Sequence, residues 1–118
     1  EGSAILVIPS LESSLFSSWR MIELYKRDGV KPERIPASEL AYFDGSKTDI
    51  IQGKINISGV VTKHYTASEI EVVFHQAGFT VISIEKLEYE WNTEFSTVPS
   101  WMKSPYPWDW LVECRKKN

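Results

Sequence analysis

Residues Tyr65–Phe79, YTASEIEVVFHQAGF, decide the fold class of this chain. Thr66 and Glu69 have the spacing of a capping box, in which the Thr66 hydroxyl accepts from the Glu69 N–H and the Glu69 carboxylate reaches back. Ile70, Val73, Phe74 and Ala77 then recur at helical spacing and give one apolar stripe. Gly78 stands where a helix wants a left-handed residue, and Phe79 is the apolar residue that anchors such a stop. Thr80–Trp91 reads as a strand, with Ile82 and Ile84 in one phase and Leu87, Tyr89 and Trp91 in the other. The slip of phase predicts a bulge or bend near Glu85–Lys86. Helix, glycine stop and strand together make an α/β crossover of the kind that closes a doubly wound domain.

Working outward, Ala4–Ile8 is short, continuous and apolar, the pattern of a parallel strand covered on both faces. Pro9 ends it, and Ser10 can cap a helix running to about Asp28 with Leu11, Leu15, Trp19 and Ile22 on one face. Gly29 is the expected stop. Residues 30–53 are irregular, punctuated by Pro32, Pro36 and Asp44-Gly45, with room for a helical turn around Ala37–Tyr42. Ile55 and Ile57 alternate, Ser58-Gly59 turns, and Val60–Tyr65 pairs back as a small hairpin. Residues 92–107 form a long loop with three prolines. Trp108–Arg115 is a last strand, with Trp110, Val112 and Cys114 in one phase.

Composition bounds the function. The chain has 118 residues, 42% hydrophobic and 25% charged, which suits one globular core rather than a disordered tail. The net charge of −3 comes with scattered lysines and arginines, so no basic stripe points to nucleic acid. No apolar run is long enough to span a bilayer, so no membrane partner is expected. The single cysteine, Cys114, excludes an internal disulfide and fits a reducing cytoplasm. Two histidines and one cysteine far apart give no metal spacing. There is no phosphate loop of the GxxxxGK type, and none of the serines at 10, 13, 14, 17 and 18 sits in a nucleophile elbow.

EGSAILVIPS resembles the fifth strand of class I S-adenosylmethionine-dependent methyltransferases, where a glycine-containing turn leads into an apolar strand. KHYTASEIEVVFHQAGFTVISIEKLEYEW resembles that family's last helix and sixth strand, and PYPWDWLVECRKK its closing seventh strand, which runs antiparallel. The resemblance covers nearly the whole chain but only the C-terminal half of the family fold. It implies an α/β architecture: the C-terminal part of a Rossmann-like methyltransferase sheet. About three main strands are expected, the last antiparallel, with two flanking helices and a small hairpin insertion. Residues 1–118 would then be a single domain, a fragment of a larger methyltransferase domain, with 30–65 as a substrate-side insertion and 92–107 as the long loop.

The family's cofactor site needs a glycine-rich turn after the first strand and an acidic residue after the second. Gly2, Gly29, Gly45, Gly53, Gly59 and Gly78 are too far apart to make that turn. S-adenosylmethionine is therefore expected in the parent protein, and no cofactor-binding residue is assigned to this segment. In an open α/β sheet, ligands sit beyond the carboxyl ends of the parallel strands. The residues that fall there are Glu12, Tyr42, His64, Tyr65, Trp91 and Trp101. Tyr42, Tyr65, Trp91 and Trp101 are candidates to line a pocket for a small-molecule acceptor. His64 or Glu12 is the candidate base for the acceptor. The plainer readings stand beside these. Trp19, Trp108 and Trp110 read as packing. An acid such as Glu12 suits a first helical turn in any case, and His64, just before a helix cap, can bond locally. A second function class stays open, a non-catalytic binding or assembly module that forms a homodimer through its first strand.

Overall fold

The structure, a computed structural model, describes residues 2–118. It is a mixed α/β chain with a small antiparallel sheet, and it divides into two compact units, residues 2–13 with 65–118 and residues 14–64.

The first unit is built on a three-stranded sheet: β1 (Ser3–Pro9), β4 (Phe79–Glu88) and β5 (Trp108–Lys116), in the order β1-β5-β4. β5 lies in the middle and is antiparallel to both neighbours. Its residues alternate as the sequence predicts. Trp108, Trp110, Val112 and Cys114 are buried, whereas Asp109, Leu111 and Glu113 are half-buried. Pairing Ile8 with Trp110, Leu6 with Val112 and Ile84 with Val112 puts the buried phase of all three strands on one face. Helix α3 (Ala67–Gln76) covers that face, with Ile70 fully buried and Phe74 against Phe79 at 6.4 Å between ring centroids. Its start and stop are the expected ones. The Glu69 N–H donates to the Thr66 hydroxyl at 3.1 Å, and Gly78 takes a φ of 92°. A glycine carries that left-handed turn without the clash a Cβ would bring.

Three expectations are corrected. Ala4–Ile8 is a strand, but it pairs antiparallel with β5 and is not covered on both faces. Ile5 is 69% and Val7 55% exposed. β1 has one partner strand, so among the described residues its other edge meets only Tyr65, at Pro9 and Ser10, and one of its faces is exposed. It does run parallel to β4, two places away, because both oppose β5. The bulge lies at Ile82, not near Glu85–Lys86. Val81 pairs with Cys114 and Ser83 with Glu113, which leaves Ile82 as the extra residue. Ile82 and Ile84 therefore belong to different stretches of the ladder, and the phase changes three residues before the sequence suggests. Trp19, read as core, is 59% exposed.

Helix α1 (Leu11–Arg27) starts in the first unit, and the division falls just after Ser13. Ser10 caps it as expected, accepting from the Ser13 N–H at 3.0 Å, and Gly29 ends it with a φ of 81°. The second unit holds the rest of α1, 3₁₀ turns at Pro32–Arg34 and Ala37–Phe43, a short helix α2 (Lys47–Ile51), and the hairpin of β2 (Lys54–Ile57) and β3 (Val60–Lys63). The turn at Ala37 and the hairpin were expected, but α2 was not. The Ser46 hydroxyl starts α2 by accepting from the Asp49 N–H at 3.1 Å. In the hairpin, Ser58 and Gly59 both take positive φ, and the Asn56 side chain accepts from the Gly59 N–H at 2.8 Å.

If Ile70 pins α3 to the sheet, replacing it with alanine costs about 2–5 kcal/mol. Val72→Ala, on the exposed side of the same helix, stays within about 0.5 kcal/mol of the parent. Urea unfolding of the two variants measures the contrast, and equal midpoints would remove Ile70 from the core.

Candidate functional site

The carboxyl ends of β1 and β4 lie at the same end of the first unit's sheet, where polar side chains gather. Chain geometry brings them there. After Pro9 the backbone turns into α1, and Tyr65 runs alongside Ser10 in a single parallel bridge. The Tyr65 N–H donates to the Pro9 carbonyl at 2.9 Å, and the Leu11 N–H to the Tyr65 carbonyl at 3.0 Å. The Trp110 indole N–H donates to the same Tyr65 carbonyl at 2.9 Å. The start of α1 is thereby locked to the residue that leads into α3.

Glu12 sits in that first turn of α1. Its Oε2 accepts from the Ala67 N–H at 3.4 Å, so a carboxylate from one helix helps satisfy the exposed N–H groups at the start of another. Its Oε1 is buried and has no hydrogen-bond partner among the described residues. Leaving a buried acceptor unsatisfied costs on the order of 1–3 kcal/mol. An acceptor in this state is completed by any ligand that brings an N–H or O–H. Next to it, the Ser13 hydroxyl accepts from the Trp108 N–H at 2.8 Å and holds the first residue of β5.

Tyr89 follows β4 directly. Its hydroxyl donates to Glu94 Oε1 at 3.1 Å. Burial, then the carboxylates of Glu94 and Asp109, push this phenol well above its ordinary value of 10.0, against a smaller opposing pull from the Ser13 hydroxyl. The end of the sheet thus holds three carboxylates, Glu12, Glu94 and Asp109, and a phenol kept protonated. It is a surface made to receive hydrogen-bond donors and cations. Tyr89, Ser13, Glu94 and Asp109 were not singled out from sequence. Tyr89 stood out only as the last apolar position of a strand phase.

The remaining candidates are dispersed. Tyr65 contributes backbone atoms to the site, as described. Trp91 is 1% exposed, and its indole N–H donates to the Lys103 carbonyl at 3.0 Å, so it anchors the long loop. Trp101 lies half-buried in that loop, beside the buried Met102. Trp108 and Trp110 pack as expected, 7% exposed each and edge to face at 5.9 Å. In the second unit, Tyr42 is 46% exposed. His64 is buried there at the end of β3, with Nδ1 3.1 Å from the Thr62 carbonyl. A carbonyl only accepts, so Nδ1 carries the proton in that bond. The local bonding read from sequence is therefore present, and Glu12 is the candidate base with a buried, unengaged oxygen.

Among the described residues no group of three or more His, Cys, Asp and Glu is placed to hold a metal ion, and no helix is long and apolar enough to cross a membrane. The glycines with positive φ sit at helix stops and in the hairpin turn. None of them follows a strand of the three-stranded sheet into a helix. Comparisons with models of known protein families, with curated proteins and with solved structures gave no significant match.

The raised Tyr89 value carries a sign. A phenol harder to ionise when folded contributes stability below pH 10.0, and that contribution fades as pH climbs towards the folded value. Absorbance titration shows one of the five tyrosines ionising last. Above about pH 10 the urea midpoint of the parent falls with pH more steeply than that of Tyr89→Phe. Identical slopes for the two proteins would mean that Tyr89 ionises freely.

Proposed function

We propose that this chain is the C-terminal, acceptor-side portion of a small-molecule S-adenosylmethionine-dependent methyltransferase with a Rossmann-like sheet. The supporting observation is the strand arrangement. The last strand in the chain enters between two strands that run parallel to one another and opposes both. An antiparallel closing strand is what the resemblance of the PYPWDWLVECRKK segment calls for, and the capped helix α3 leads into β4 as the last helix leads into the sixth strand. Glu12 adds chemistry to the topology. Its buried Oε1 lies at the carboxyl end of β1, where an acceptor's hydroxyl or amine can donate to it and be oriented for attack. No step through the cofactor follows from these residues.

The test is a pair of measurements. On this reading the parent gene is expected to carry a glycine-rich strand–loop–helix ahead of residue 1. The chain alone gives no calorimetric signal with S-adenosylmethionine, whereas the chain produced together with that upstream segment binds it with a Kd of about 10 μM or tighter. A parent gene with no such segment, or micromolar binding by the chain alone, overturns the assignment.

A second reading, a non-catalytic assembly module, is favoured by the contrast between the two sheet edges. β4 carries a bulge at Ile82 and charges at Glu85, Lys86 and Glu88, the devices that stop one edge from pairing with another. β1 carries neither, and Ile5, Leu6 and Val7 are all exposed. Pairing of two β1 edges makes a homodimer. Light scattering at about 100 μM chain would then report twice the 13.6 kDa monomer mass, and a monomer at that concentration ends this reading.

A further inference from the structure

The outer edge of β1 has a fixed backbone phase. In an antiparallel ladder a residue's N–H and C=O point to the same side, and successive residues point to opposite sides. The Pro9 carbonyl is turned away from β5, because it accepts from the Tyr65 N–H at 2.9 Å. β5 agrees with this phase. The Trp108 N–H points to the β1 side, where it donates to the Ser13 hydroxyl at 2.8 Å, so Trp110, Val112 and Cys114 present their backbone groups to Ile8, Leu6 and Ala4. Ser3, Ile5 and Val7 therefore turn theirs outward, and every residue from Ser3 to Val7 is exposed. Pro9 lies in the same outward phase, where a strand tolerates a missing N–H. Tyr65 occupies the edge at Pro9 and Ser10, so an incoming strand has only the stretch before them.

We propose that this edge pairs antiparallel with the same edge of a second copy, in the register that puts Ile5 opposite the partner's Ile5 on the two-fold axis. The pairing rests on the assembly-module reading and gives it a geometry. Outward residues must meet outward residues to exchange hydrogen bonds, so the allowed axes are fixed by phase. An axis at Leu6 would set Ser3 against the partner's Pro9, which has no N–H and whose carbonyl is taken by Tyr65. An axis at Ala4 would move Val7 off the partner's β1. With the axis at Ile5, Val7 meets the partner's Ser3, Leu6 the partner's Ala4 and Ile8 the partner's Gly2, large against small on both faces. This match is a property of the strand with itself, and it is why the occupant is a second copy. No side chain from Ser3 to Pro9 is charged, so self-pairing opposes no like charges. Ile5, Leu6 and Val7, exposed by 69%, 38% and 55%, are the side chains that gain cover. The joined sheet runs β4-β5-β1-β1-β5-β4. Its two outer edges are then the bulged, charged β4 strands, so assembly closes at the dimer.

Two sets of variants of the full chain test the edge and the register. Val7→Pro removes an outward N–H, so sedimentation equilibrium is expected to show dimerisation weakened by about tenfold or more. At about 1 μM chain, where dissociation is favoured, its urea midpoint stays close to the parent's. Leu6→Pro removes an N–H that faces β5 and lowers that midpoint clearly. For the register, Ile5→Cys is expected to form a disulfide-linked dimer on mild oxidation, because opposed Cα atoms about 5.5 Å apart lie within disulfide reach. Leu6→Cys and Val7→Cys do not link to themselves, and the buried Cys114 stays out of the reaction. A monomeric parent at about 100 μM ends the assembly reading and this pairing together. A dimer that survives Val7→Pro leaves the chain an assembly module but overturns the β1 edge as its contact. Self-linking of Leu6→Cys or Val7→Cys in place of Ile5→Cys overturns the register.

Discussion

In the three-stranded sheet, β5 alone is hydrogen-bonded on both sides, and the first unit depends on it. Neither β1 nor β4 touches the other, so the alignment of the two parallel strands exists only through the antiparallel one between them. The energetics follow the same line. Val112 is fully buried at the centre of β5, flanked by Leu6 and Ile84, while Trp110 and Cys114 extend the buried phase in both directions. A strand this central needs strict alternation, because a one-residue slip would exchange Trp110, Val112 and Cys114 for Leu111, Glu113 and Arg115. The buried set is apolar and the other set is largely charged, so the sequence itself penalises the slip.

The long connections hold together because polar groups tie their ends. Ser13, at the start of α1, accepts from the first backbone N–H of β5, although 95 residues separate them. Tyr65 serves both Leu11 and Trp110. Trp91 reaches across the long loop to Lys103. These bonds gather at the carboxyl ends of β1 and β4, which is also where Glu12 is left with a buried, unpaired oxygen. The packing that fixes the fold thus creates the polar end of the sheet as a by-product. A carboxylate that caps a helix with one oxygen has the other held in place by the same bond.

Local signals were legible in the sequence, and long-range ones were not. The Thr66 cap, the Gly78 and Gly29 stops, the Ser58-Gly59 turn and the alternation of β5 each depend on a few adjacent residues, and all are present. Ala4–Ile8 shows the limit. A continuous apolar run specifies a strand, but what covers it depends on the rest of the sheet, and among the described residues one face and one edge go uncovered. Trp19 fails for a related reason, since helical spacing defines a stripe without saying what packs on it. The slip at Ile82 was visible as a change of phase but was placed late, because Ile84 and Ile82 look alike until the partner strand fixes the register. At the site, Glu12 was legible from its place after β1, whereas Tyr89, Ser13 and Asp109 meet only through the fold.

The two sides of the sheet show why composition hid the surface chemistry. A net charge of −3 suggests an unremarkable surface, and scattered charges suggest no patch. Yet alternation sorts β5 and its neighbours by face. The aliphatic and indole groups of one phase go under α3, and the other phase collects Asp109, Glu113, Arg115 and Glu85 around exposed aliphatic side chains. Lys86, from the opposite phase, turns to the covered side and lies 4.1 Å from the centre of the Trp108 ring. Lys86 is thereby removed from the open face, where Arg115, two residues beyond Glu113 in the same phase, is the basic side chain beside the carboxylates. Charge balance along a strand is therefore a poor guide to charge balance on a face. A strand of alternating sign separates its charges the moment it pairs.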